Sequence, residues 1–118
     1  MAQHDPFTVE DENKRRALIT ERYEERKKSD LRKVLSTTEG RRVLFRILNE
    51  GRIRSGCFDS NALTMAYNEG KRDIALFLEN EIEATKPEAI EQMRSEASTD
   101  RLIQEAELYK AEKGEKNA

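Results

Sequence analysis

Few residues in this chain could act as a nucleophile or a base. The only histidine, His4, lies close to the N-terminus, and the only cysteine, Cys57, lies in the segment RIRSGCFDS. Arg52 and Arg54 precede Cys57, and nearby positive charge stabilises a thiolate. A catalytic thiol also needs a base, and no histidine follows it. We therefore interpret His4 as an incidental surface residue and Cys57 as a small buried loop thiol.

Metal and phosphate sites have no better support. No His/Cys pair stands at ligand spacing, and the short segment 59–61 cannot form a calcium loop. Carboxylates one helical turn apart, such as Glu79 and Glu83, are typical of solvated helix faces. A phosphate-binding loop needs clustered glycines followed by Lys-Ser/Thr, whereas the glycines here are isolated. The sequence predicts no catalytic residues, no metal and no cofactor.

Two segments repeat one pattern, EGRRVLFRILNEG at 39–51 and EGKRDIALFLENE at 69–81. In each, the glycine falls on the same helical stripe as the large apolar residues. Glycine costs a helix interior about 1 kcal/mol relative to alanine, and close approach of another helix would compensate. For Gly40, near the start of its helix, easier entry into the helix is the alternative explanation. We therefore expect Gly70→Leu to destabilise the fold more than Arg72→Ala. The predicted helix-packing residues are Gly40, Leu44, Ile47, Leu48, Gly70, Ile74, Phe77 and Leu78.

The composition favours helices with a small core. Charged residues make up 39% and hydrophobic residues 36%, with only five glycines and two prolines. We predict an all-α fold, a small helical bundle of three to five helices centred on an antiparallel pair at about 37–50 and 60–84. The expected organisation is a charged N-terminal helical arm at 1–30, a helical core domain at 31–96, and a charged C-terminal helix with a frayed tail at 97–118.

Local signals predict the ends of the helices. The first helix should run from Val9 to about Lys28, and Gly51 should end the second in a left-handed conformation. A hydrophobic staple should join Phe58 to Leu63. Pro87 is acceptable as a first helical residue. Helix N-caps are expected at Thr8, Ser36, Asp59 and Thr99.

The charge is basic early and acidic late. Residues 13–54 carry fourteen Lys/Arg and six Asp/Glu, whereas residues 79–118 carry six and eleven. Two solvated helical faces that neutralise each other explain this pattern, and a polyanion-binding surface is the alternative. The pI of 5.6 makes nucleic acid the less favoured partner. Candidate partner contacts are the basic Arg41, Arg42, Arg46, Arg52 and Arg54 and the apolar Leu18, Ile19 and Tyr23.

Membrane spans, a signal peptide and disulfide-forming cysteines are the sequence features that indicate the cellular compartment. No apolar run approaches the ~18 residues of a membrane span, and the N-terminus lacks the apolar core of a signal peptide. A single cysteine excludes an internal disulfide. We expect a soluble, intracellular protein without membrane contact.

The middle of the chain resembles a family of small tailed-bacteriophage proteins named after a Bordetella podophage protein. The resemblance covers about residues 31–96, including LRKVLSTTEGRRVLFRILNEGRI, YNEGKRDIALFLENEI and PEAIEQMRSE. Aromatic residues are common in that family two places after its Arg-Arg pair, where this chain has Leu44 followed by Phe45. The most specific elements are Gly40-Arg41-Arg42, Phe58, and Asn68-Glu69-Gly70 followed by Arg72.

The resemblance implies a phage origin and an all-helical domain often encoded among virion and assembly genes, and it transfers no catalytic residues. With the thin apolar stripes of both ends, it leads us to expect a non-catalytic protein acting through protein–protein interaction, in virion assembly or as a minor virion component. Partners would be phage structural or assembly proteins, a host protein, or a second copy of the chain, in the host cytoplasm or the virion. The alternative is a phage-encoded regulator that binds a host protein or nucleic acid through the basic 41–54 region.

Overall fold

The described part of the chain folds as four α-helices, and the predicted all-α bundle is confirmed. The computed structural model describes residues 8–51 and 56–116. Helix α1 spans Val9–Leu35, α2 spans Thr38–Glu50, α3 spans Ala62–Thr85 and α4 spans Ala89–Lys116. No strand occurs in these described ranges.

Helix α1 begins as predicted but continues farther. The Thr8 hydroxyl accepts a hydrogen bond from the Asp11 backbone N–H at 3.2 Å, which confirms the cap. The helix was expected to end near Lys28, and that prediction is wrong. No glycine or proline interrupts residues 9–35, and the half-buried Leu31 and buried Leu35 extend its apolar contacts to the last turn.

The connection from α1 to α2 is tight. The Ser36 hydroxyl donates to the Lys33 carbonyl at 2.6 Å and closes α1, so Ser36 does not cap α2 as predicted. The cap is Thr37, whose hydroxyl accepts from the Gly40 N–H at 3.0 Å. The cap moves by one residue because Ser36 still belongs to the end of α1.

Gly51 ends α2 in a right-handed conformation, with φ −74° and ψ −4°, so the predicted left-handed end is wrong. Its smallness matters for a different reason. A Cβ at Gly51 would collide with the Cβ of Ala75 on α3. Gly51 therefore lets the end of α2 lie directly on α3. Gly51, at the end of α2, lies on Ala75, whereas Leu48, three residues earlier in α2, joins the core with Ile82, seven residues later in α3. The order of contacts along α2 is therefore opposite to that along α3, so the two helices run antiparallel.

The start of α3 differs from the prediction by two residues. Asn61, not Asp59, is the N-cap, and its Oδ1 accepts from the N–H groups of Leu63 and Thr64 at 2.9 and 3.2 Å. Asp59 instead accepts from the Asn61 N–H at 2.8 Å. Phe58 and Leu63 are 87% and 83% exposed, so the predicted hydrophobic staple is absent.

Helix α4 is a single helix of 28 residues. Pro87 lies in the preceding turn rather than at the first helical position. The predicted separate helix after Thr99 is also wrong. The Thr99 hydroxyl donates to the Ser95 carbonyl at 3.1 Å, and this bond satisfies it inside a continuous helix.

The core is small and lies where all four helices meet. Its buried members are Leu35, Leu48, Ile82, Ala89, Ile90 and Met93, and Leu31, Leu44, Phe45 and Leu78 pack against them. Every core residue falls between residues 31 and 93. The first half of α1 and the second half of α4 contribute nothing to it.

The predicted packing face is only partly correct. Leu44, Leu48 and Leu78 join the core, whereas Ile47, Ile74 and Phe77 are 44%, 66% and 62% exposed. A Cβ added at Gly70 would meet no atom within 4 Å, so no helix backbone approaches it and the basis for expecting Gly70→Leu to destabilise the fold is wrong. The buried face is turned by about one residue, to Arg41 and Leu48 on α2 and to Asn68, Ala75 and Ile82 on α3.

The two ends of the chain form arms. Every residue of the N-terminal arm, residues 12–26, and of the C-terminal arm, residues 101–115, is exposed. The molecule measures 97 × 39 × 21 Å. Helices α1 and α4 are each only about 40 Å long at 1.5 Å per residue, so the arms extend from opposite ends of the bundle.

Candidate interaction surfaces

Arg41 is a structural residue. It is only 8% exposed, its Nη2 lies 2.8 Å from Glu96 Oε1, and its Nη1 donates to the Leu35 carbonyl at 2.8 Å. The hydrogen bond to Glu96 raises the pKa of Arg41 above its ordinary value. This side chain joins α2 to α4 and to the end of α1, so the prediction that it contacts a partner is wrong.

Arg42 and Arg46 lie on the outer side of the same helix, beside a groove of about 510 Å³ between α2 and α4. Arg42 Nε is 3.6 Å from Asp100 Oδ2, and Arg46 is exposed. Glu39, Glu96 and Asp100 share the groove walls. The groove therefore carries both charges, and its acidic residues oppose the binding of a polyanion. Arg52 and Arg54 lie outside the described residues.

The apolar contact residues predicted on the N-terminal arm are exposed. Leu18, Ile19 and Tyr23 are 54%, 61% and 59% accessible. The C-terminal arm has a counterpart stripe, in which Leu102, Ile103 and Tyr109 are 62%, 51% and 60% accessible. Large apolar side chains on an otherwise charged helix are the anchors that amphipathic helices use to dock on partners.

A third apolar surface lies on α3 and includes Gly70, Ile74 and Phe77, which the sequence predicted as helix-packing residues. We call it the α3 stripe: Leu63, Tyr67, Gly70, Ile74 and Phe77. Beside it, a groove of about 480 Å³ between α2 and α3 includes Ile47, Gly51 and Ala75 in its walls. The signal that could have separated this stripe from the core is the second apolar face of α3, formed by Ala75, Leu78 and Ile82.

Cys57 does not have the environment of a nucleophile. Its Sγ donates to Glu69 Oε1 at 2.7 Å. This hydrogen bond is the main cause that raises the pKa of the thiol, and burial is the second. The raised pKa favours the protonated form. His4 lies outside the described residues. Within 8–51 and 56–116, no three His, Cys, Asp or Glu side chains group closely enough to hold a metal ion.

Charged residues recur along all four helices. Among the described residues, no helix combines the length and the apolar character needed to cross a bilayer.

A family model described as Bbp19-like phage protein matches residues 31–95, more than half of the 118 residues. The chain belongs to this family. Searches of curated proteins and of solved structures gave no match. The resemblance seen in the sequence is therefore confirmed at the level of the family.

The Bbp19-like segment coincides with the bundle. It begins at Leu31, the first residue of α1 that packs on the core, and ends two residues beyond Met93, the last buried core residue. Both arms lie outside it. The matched segment thus contains the residues that form the four-helix junction.

Residues that carry the Bbp19-like resemblance have structural roles in the bundle. Gly40 lies against the end of α1, where a Cβ would collide with the Val34 carbonyl. Arg41 and Asn68 are buried, at 8% and 6% exposure. Phe58 and Gly70 are exceptions, because Phe58 is 87% exposed and a Cβ at Gly70 would meet no atom of the bundle.

Proposed function

We propose that this phage protein is not an enzyme and acts through protein–protein contacts, in virion assembly or as a minor virion component. The observation that carries the proposal is the pair of arms. Each is a helix that leaves the bundle with large apolar side chains exposed along it. The family supports only a phage protein, so the assembly role rests on this surface.

The arms are only weakly stable as helices unless another surface packs against them. A single helix without tertiary packing is only marginally stable in water, and charged pairs such as Lys27 with Glu24, at 3.1 Å, add only a few tenths of a kcal/mol each. Burying Leu18, Ile19 and Tyr23 in a partner's groove would stabilise the arm by removing apolar area from water. The arms therefore favour a protein partner with a hydrophobic groove.

The partners that fit are phage structural or assembly proteins. Binding would take place in the host cytoplasm during assembly or within the virion. Opposite directions of the arms would let one molecule bridge two partners across as much as 97 Å. A host protein with a similar groove is the competing partner.

The alternative function, a regulator that binds nucleic acid through residues 41–54, has weaker support. Arg41 forms an ion pair with Glu96, and Arg42 forms one with Asp100. Nucleic-acid binding depends on free Lys and Arg contacts to phosphates. In the described part of this region, Arg46 is the arginine that is exposed and forms no ion pair.

The test is mass spectrometry of particles purified from the phage that encodes the protein. We compare the wild type with Ile19→Glu/Tyr23→Glu, which places two charges on the arm's apolar stripe. The control is Ala17→Glu, on the opposite side of the same exposed helix. We expect the double variant to be lost from particles or to reduce their yield, and the control to behave as wild type.

Two outcomes would contradict the proposal. The first is absence of the protein from particles combined with normal assembly after deletion of its gene. The second is a salt-dependent DNA shift that is abolished by Arg42→Glu/Arg46→Glu, which would support the regulator instead.

A further inference from the structure

The α3 stripe has the spacing of a helix–helix interface but faces solvent. Its five residues follow one another at intervals of four, three, four and three, which is the repeat that places side chains along one contact line between two helices. Leu63, Tyr67, Ile74 and Phe77 are 83%, 67%, 66% and 62% exposed. None of the four helices of the bundle covers them.

Gly70 occupies the middle of this stripe, in the interior of α3. Glycine weakens a helix interior relative to alanine, and nothing in the bundle explains its presence, because a Cβ there would meet no atom within 4 Å. Small residues at the centre of an apolar helix face allow a second helix backbone to approach closely. An external helix would therefore give Gly70 a role that the single chain does not.

We propose that a second copy of this chain covers the α3 stripe, with the two α3 helices antiparallel and crossing at Gly70. A two-fold contact needs a surface that is complementary to itself, and the stripe is nearly symmetric about Gly70. Leu63 lies seven residues before it and Phe77 seven residues after it, and Tyr67 and Ile74 lie three before and four after. The antiparallel arrangement places Leu63 against Phe77 and Tyr67 against Ile74 of the second copy.

The available area is sufficient for such a dimer. At these exposures, the four large side chains offer roughly 500 Å² per copy, so two copies would bury roughly 1,000 Å², about the lower limit of a specific interface. Ile47, on the neighbouring wall of the 480 Å³ groove, widens this apolar surface. The five stripe residues include no charge, and Lys71 at the border lies over the Tyr67 ring, with Nζ 5.1 Å from its centroid.

This inference and the proposed function rest on different surfaces. The α3 stripe lies inside the segment that matches the family, and both arms lie outside it. A dimer through α3 leaves the arms free, so it would present two arms of each kind to other proteins.

Disulfide trapping tests the geometry directly. A disulfide requires Cα atoms within about 7 Å of each other, so Gly70→Cys in the Cys57→Ser background should oxidise to a covalent dimer. Leu108→Cys, at a 64% exposed position outside the stripe, is the matched control and should stay monomeric. For the direction, Tyr67→Cys mixed with Ile74→Cys should cross-link more than either variant alone. Preferential cross-linking of each variant with itself would overturn the antiparallel arrangement.

Light scattering and sedimentation of the full chain test the dimer itself. Ile74→Glu would place two like charges near the two-fold axis, and we expect it to weaken self-association at least about tenfold, whereas Leu108→Glu should leave it unchanged. The arm variant Ile19→Glu/Tyr23→Glu should also dimerise normally, which separates this test from that of the proposed function. The inference fails if the wild type remains monomeric up to about 1 mM. It also fails if Ile74→Glu blocks entry into particles without changing self-association, since the stripe would then bind a different protein.

Discussion

The two Glu-Gly segments have nearly the same sequence and different structural roles. In 39–51 the glycine follows a tight turn, where a Cβ would collide with the Val34 carbonyl, and in 69–81 it faces open space. The basic residue that follows each glycine differs in the same way. Arg41 is buried against Glu96, whereas Lys71 lies over an exposed tyrosine ring. The two segments thus share a local sequence, but their equivalent residues have different structural environments.

The difference arises from which face each helix turns to the core. Helices α2 and α3 each contact the other three helices, but α2 turns Leu44 and Leu48 toward the core. Helix α3 uses the face with Ala75, Leu78 and Ile82 for the core and leaves the Gly70 face outside. A helix with two apolar faces can serve a bundle with one and a partner with the other. A repeated sequence motif therefore need not form the same contact twice.

Arg41 and Lys71 should give the largest contrast. Arg41→Ala removes a buried ion pair and leaves the Leu35 carbonyl without its donor, which should cost about 3 kcal/mol of the free energy of unfolding. Lys71→Ala removes one exposed cation–π contact and should cost about 0.5 kcal/mol. Urea unfolding followed by circular dichroism measures both. Equal losses would show that the Arg41–Glu96 pair does not hold α2 to α4.

Gly40 and Gly70 should respond to alanine with opposite signs. Gly40→Ala forces a methyl group into the Val34 carbonyl and should destabilise the fold by about 2 kcal/mol. Gly70→Ala meets no atom and should stabilise the helix by up to about 1 kcal/mol. Both changes are best measured in the Ile74→Glu background, so that self-association does not contribute. Destabilisation by Gly70→Ala in that background would restore the packing role predicted from the sequence.

The sequence predicted the helical elements well, because helix signals are local. The α1 cap at Thr8 and the antiparallel pair of α2 and α3 agree with the structure. The candidate contacts Leu18, Ile19 and Tyr23 are exposed. Docking of those three residues on a partner stays a prediction. The breaks expected near Lys28 and Thr99 are absent, since polar residues there are compatible with a continuing helix and the Thr99 hydroxyl bonds its own backbone.

The buried faces could not be predicted from the same patterns. Arg41 is buried because Glu96, 55 residues later, reaches it, and no local signal contains that pairing. On α3, the exposed face carries large apolar side chains, and the buried face combines the large Ile82 with the small Ala75 and the polar Asn68. Periodicity identifies an apolar face, but the choice between two such faces depends on which helices pack nearby.

Leu44 and Ile74 occupy equivalent positions in the two segments and should differ less than the pairs above. Leu44 is half-buried and packs on the core, so Leu44→Ala should cost about 1.5 kcal/mol. Ile74 is 66% exposed, and Ile74→Ala should change the unfolding free energy by about 0.5 kcal/mol or less at dilute protein concentration. Thermal melts across a concentration series check both values. A cost at Ile74 that grows with concentration would indicate that the residue is buried between copies.

Glu39 and Glu69 complete the comparison with the smallest effect. Because the Glu69 carboxylate accepts the Cys57 S–H at 2.7 Å, it raises the pKa of the thiol, and stability gained from this bond is present below the ordinary thiol pKa and lost as pH rises through the raised value. Glu69→Gln removes the charge, so alkylation of Cys57 by iodoacetamide near neutral pH should become faster, by roughly 3-fold. Glu39→Gln, at the equivalent position, is the control and should leave the rate unchanged. If the two variants alkylate at the same rate, the thiol is not bonded to Glu69 in solution.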